Sequence, residues 1–178
     1  MIIYFHNHQD KLDPNNRRAI SSDDELIELL DHARHAPPFV AEFRGAVDFH
    51  IIVGIGGDFG RVQFSRMDGM PPYLMAVSPR PPVKRGVIEF MCGGTPTPIG
   101  SSNILRFDEL KAVLMHFMRT GERSDTVTWR PVRPGDTKED AERPSECLKV
   151  HARCRCVYRN GFADGVFPEI ICAETQGS

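Results

Sequence analysis

The 178 residues contain no long apolar run, no surplus of positive charge and a single tryptophan. No stretch approaches the roughly eighteen apolar residues a membrane-spanning helix needs. Twenty-two Lys and Arg stand against 24 Asp and Glu, so a formal charge of −2 gives no general drive towards nucleic acid or an anionic membrane. The opening, MIIYFHNHQDKLD, is briefly apolar but has no basic leader, and the expected location is the cytoplasm. H-x-x-x-H, G-x-S-x-G, paired P-C-x-x-C and Walker patterns are missing, so the sequence gives little support for an enzyme. Five cysteines, an odd total, do not make a secreted disulfide framework.

What is present is organised around DFHIIVGIGGDFGRVQFS, residues 48–65. Phe49, Ile51, Val53 and Ile55 share one phase of a two-residue period, and His50, Ile52 and Gly54 share the other. Gly56 and Gly57 break the run, and Val62 and Phe64 then alternate with Arg61, Gln63 and Ser65, which predicts a hairpin. A glycine-rich turn could also cradle a phosphate. That reading wants a helix after the loop, whereas GIGGDFG runs into a β-like segment with an acid at its tip.

Around this centre, Ile2 to His6 reads as a short strand. Ser22 and Glu25 form a capping box for a helix carrying Leu26, Leu29, Leu30 and Ala33, stopped by Pro37 and Pro38. His32 and His35 near its end suit the helix dipole better than a metal. Phe39 to Phe43, Tyr73 to Val77 and Val87 to Cys92 add strands, with tight turns between them. CGGTPTPIGSS, 92–102, closes the meander, and NILRF reads as a short strand. Asp108 is the expected cap of a second helix striped by Leu110, Val113, Leu114, Phe117 and Met118 and ended by Gly121. Thr126 to Val132 is a last strand, with Trp129 at the core or its edge. Cys92 beside Gly93 and Gly94 is the one thiol placed like a nucleophile, though a small apolar core residue is the simpler reading.

The expected fold is therefore α+β: an antiparallel meander of about five to seven strands with two helices packed on it, over residues 1–132. Residues 133–146 read as a charged linker, and 147–178 as a cysteine-containing extension too small to fold unaided. Cys147, His151, Cys154, Cys156 and Cys172 could ligate a metal there, but their spacing matches no common zinc pattern, and no metal or cofactor is expected.

Three blocks, IIVGIGGDFGRVQFS at 51–65, VIEFMCGGTPTPI at 87–99 and FMRTGERSDTVTW at 117–129, resemble Immunity protein family one of bacterial polymorphic toxin systems in order and spacing. The resemblance covers residues 1 to about 132; Thr95 stands where Gln is usual, and the tail is not explained by it. It implies a non-catalytic cytoplasmic protein that forms a heterodimer with a cognate secreted toxin, one resembling a nucleic-acid deaminase, and occludes its active site. On that reading Asp58, Asp68 and Glu89 imitate phosphate charge, while Phe59, Met70 and Tyr73 are apolar anchors. The alternative is a small ligand-binding or catalytic α+β domain holding a phosphate between GIGGDFG and CGGT; another is a metal-dependent interaction module built on the tail.

Overall fold

The structure is a computed structural model that describes residues 1–80, 82 and 86–132. The linker at 133–146 and the extension at 147–178, with its candidate ligands, lie outside the described residues.

Among the described residues, ten strands and two α-helices form the α+β unit. The strands are β1 (Ile3–Asn7), β2 (Ala19–Ile20), β3 (Phe39–Gly45), β4 (Phe49–Gly56), β5 (Phe59–Arg66), β6 (Leu74–Val77), β7 (Val87–Cys92), β8 (Thr95–Gly100), β9 (Leu105–Arg106) and β10 (Thr128–Pro131). The helices are α1 (Asp23–Ala33) and α2 (Phe107–Thr120). The principal order across the sheet is β10-β6-β5-β4-β3-β1-β2, with β3 to β6 the expected antiparallel meander.

Period two decides which side of the sheet each residue serves. Phe5, Phe43, Ile51, Val53, Ile55, Val62 and Phe64 join Leu26 and Leu30 of α1 and Leu110, Leu114 and Phe117 of α2 in one apolar core. Both helices therefore cover the same face. Phe64 is its aromatic hub: it stacks on Phe49 with centroids 4.7 Å apart and meets Phe117 and Trp129 edge-on at 6.2 and 6.0 Å. The Trp129 indole donates to the Ser124 carbonyl at 2.7 Å, so its polar edge is satisfied where it leaves the core. Gly60 allows α2 to approach closely, since a Cβ there would lie 2.3 Å from Leu110 Cδ1.

Four expectations change. CGGT does not end the meander: Gly93 and Gly94, both at positive φ, form a two-residue turn into β8, whose TPTPIG carries two prolines. The β7–β8 hairpin does not follow β6 in the sheet; Met91 pairs with Phe39 in parallel, and the Met91 amide donates to the Pro38 carbonyl at 2.9 Å, where β1 has left the flank of β3. Phe90 then lies against Gly54 on the side away from the helices, and a small second core of Val40, Phe90, Ile99 and Ile104 forms there. Finally, Asp108 does not cap α2: the Glu109 carboxylate accepts from the Arg106 amide at 2.8 Å, and Asp108 sits in the first turn. NILRF contributes only Leu105 and Arg106 to the sheet, because Ser101–Asn103 turns in a 3-10 helix.

Candidate functional site

The helix-free face carries the polar phase of the same strands. Register aligns Tyr4, Arg44, His50 and Ser65 in one row across it, and His6, Glu42, Ile52, Gln63, Met75 and Arg130 in the next. Glu42 is the centre, 2% exposed on a strand that is otherwise apolar or glycine except for Arg44. Arg44 donates to both its oxygens, from Nε at 2.6 Å and Nη2 at 2.8 Å. His8 donates from Nε2 at 3.1 Å, and His50 from Nδ1.

Burial opposes the charge on Glu42, yet the hydrogen bonds from His50, His8 and Arg44 outweigh it and hold the carboxyl far below its ordinary range. His6 moves the other way: burial, then the nearby Arg44 charge, lowers its pKa. The network is a satisfied polar cluster, with an acid at the centre and one arginine and two histidines hydrogen-bonded to it. Among the described residues, no group of three or more His, Cys, Asp or Glu is arranged to hold a metal ion.

One row further along lie Gly54 and Arg61, paired across β4 and β5. Arg61 is buried, and burial lowers its pKa to about 10. Its Nε is enclosed with no hydrogen-bond partner.

The six residues expected to form an interface fall into two groups at opposite ends of β5, which spans roughly 25 Å at strand rise. At one end Asp58 occupies the β4–β5 turn, its carboxylate paired with Arg34, and Phe59 meets Phe90 edge-on at 6.2 Å. Glu89, the neighbour of Phe90, is exposed on β7. At the other end Asp68 accepts from Arg66 at 2.6 Å and from the Met70 amide at 3.0 Å, and these bonds bring its pKa down to about 2. Met70 is 60% and Tyr73 40% exposed, with Met67 and Val132 exposed beside them in the chain or across a backbone bond. The Tyr73 hydroxyl donates to the Gly69 carbonyl, which fixes the ring over the loop.

Both glycine motifs are hairpin turns. Gly57, at φ 59°, and Asp58 form the loop closed by Gly56 and Phe59. The Gly57 amide donates to the Arg34 carbonyl at 3.1 Å, Gly93 to His8 at 3.1 Å and Gly94 to Gln9 Oε1 at 3.0 Å. With these amides engaged, the geometry does not favour a phosphate cradle.

The Glu42 network and Arg61 were not among the expected site residues. A signal for them exists: Glu42 and Arg44 are two apart on an apolar strand, and His50 and Arg61 occupy the outward phase of the next two. Two comparisons complete the picture. The family model described as immunity protein Imm1 matches residues 15–131, from before β2 to the end of β10. No curated protein matches the chain.

Proposed function

The chain belongs to the immunity protein Imm1 family and so answers a toxin; on that premise we propose that it neutralises a nucleic-acid deaminase by covering the mouth of its pocket. A deaminase must draw its target base into an enclosed site, so occlusion is sufficient and the inhibitor needs no catalytic group. The complex is a one-to-one heterodimer formed in the cytoplasm of the producing cell, without cofactor, nucleic acid or membrane. The observation that supports the contact surface is the β5–β6 connection, where Met67, Met70 and Tyr73 stand exposed beside an Asp68 fixed by Arg66. Such an apolar group rimmed by charge suits a partner interface. At the far end of β5, Asp58, Phe59 and Glu89 would meet the rim of a basic substrate groove.

Calorimetric titration of the toxin domain, paired with a deamination assay on single-stranded substrate, tests this reading. The expected result is a one-to-one complex in which deamination falls in step with occupancy. Met70→Asp with Tyr73→Asp should weaken binding by at least about tenfold, the loss of one anchor. Full affinity in that double variant would remove the β5–β6 connection from the interface, and a complex with a toxin lacking deaminase activity would overturn the substrate class.

A further inference from the structure

Arg61 is the one buried arginine among the described residues, at 7% exposure, and no carboxylate pairs with it. Far more exposed arginines do have such partners: Arg34 has Asp58, Arg66 has Asp68 and Arg119 has Asp23. The two neighbouring carboxylates nearest the sheet interior are engaged elsewhere, and Glu89 on β7 is exposed. Glu42 is saturated by Arg44, His8 and His50, and Glu109 accepts from the Ser78 hydroxyl and the Arg106 amide at 2.8 Å each.

The fold also makes room for this side chain on the helix-free face. Gly60 and Val62 turn to the helices, so Arg61 points away from them. A Cβ on Gly54 would lie 2.9 Å from Arg61 Cγ and 2.7 Å from the Phe90 ring, so glycine there is what lets the arginine stem and the phenylalanine share the space. Among the described residues this buried cation has no carboxylate partner; such a cation is costly to fold, and the cost is recovered when an anion pairs with it.

Resting on the immunity reading, we infer that Arg61 is the receptor for a carboxylate side chain of the bound toxin, an Asp or Glu that docks on the helix-free face and completes the ion pair. A guanidinium suits this task because its planar fork matches a carboxylate bidentately, and the Phe90 ring, which shares the space over Gly54 with the arginine stem, helps exclude water on docking.

The test compares wild type, Arg61→Met and Arg61→Lys by melting temperature and by calorimetric titration with the toxin domain. Arg61→Met should melt at or above wild type, since it removes an unpaired buried charge, yet lose about a hundredfold in affinity. Arg61→Lys should regain part of that, with the charge kept and the fork lost. Replacing each toxin Asp and Glu by its amide should reveal one position whose change costs nothing further in Arg61→Met. Affinity of Arg61→Met within about twofold of wild type would overturn the inference, because a buried ion pair is worth more than that. So would affinity losses in both variants that track a fall in melting temperature, which would make Arg61 structural. If wild type itself forms no complex, the immunity reading fails first and this inference falls with it.

Discussion

The two faces of the sheet are made by the same strands and obey different rules. On the helix-covered face, Ile51, Val53, Ile55, Val62 and Phe64 are buried because α1 and α2 exclude water from them, and their burial is its own reward. On the other face, Glu42 and Arg61 are also buried, and burial is a penalty that must be offset by partners. Glu42 has three and is held as an anion; Arg61 has no carboxylate partner among the described residues. The contrast teaches where to look for function: a polar group buried at a cost, with no carboxylate partner among the described residues, is a candidate for a partner from outside.

Three sets of variants would break or sharpen this comparison. The largest effect belongs to the helix-covered face. Phe117→Ala removes a fully buried ring packed on Phe64 and should cost about 4 kcal/mol in chemical denaturation, enough to threaten folding. Glu42→Gln comes next. It leaves Arg44, His8 and His50 without their shared anion and should cost about 3 kcal/mol. The pH dependence follows from the same residue. Its folded-state pKa is depressed, so the stability it confers is fully present above its ordinary value of 4.5 and is lost as pH falls from there towards the folded value. Denaturation midpoints measured between pH 7 and pH 3 should drop more steeply in wild type than in Glu42→Gln. The smallest effects compare two glycines of one hairpin. Gly54→Ala meets Phe90 and Arg61 and should cost about 2 kcal/mol by overpacking, whereas Gly57→Ala enters open space and should cost about 1 kcal/mol for its positive φ alone. Equal losses at the two positions would show that Phe90 and Arg61 yield readily.

Much of the helix-covered face was legible in the sequence because local signals and tertiary packing agree there. The Ser22–Glu25 capping box, the α2 stripe and the Gly121 stop at φ 74° are all in the structure. The hairpin around Gly57 is too, since its turn chemistry and its flanking alternation point the same way. Strand β8 was not legible: Pro96 and Pro98 read as loop, and only pairing with β7 makes them a strand. Nor was the place of β7, because its junction with β3 joins residues about fifty apart in sequence through a single pair, with no local mark. For the candidate site, the six residues named from turns and resemblance fall into two groups near opposite ends of β5, with Glu89 supplied by β7. Arg61 and Glu42 were visible only as the polar half of an alternation, and alternation does not say which polar residues end up buried.

The prolines of β8 have a consequence beyond pairing. The Met91 amide points to Pro38 and the Gly93 amide to His8, so the opposite residues of β8 direct their backbone nitrogens away from β7, to the outer side of the hairpin. At positions 96 and 98 those nitrogens belong to proline and carry no hydrogen. An outer border lacking two successive donors cannot easily recruit another extended chain. Among the described residues β8 pairs only with β7, so its proline border works against lateral pairing with a further strand on this side.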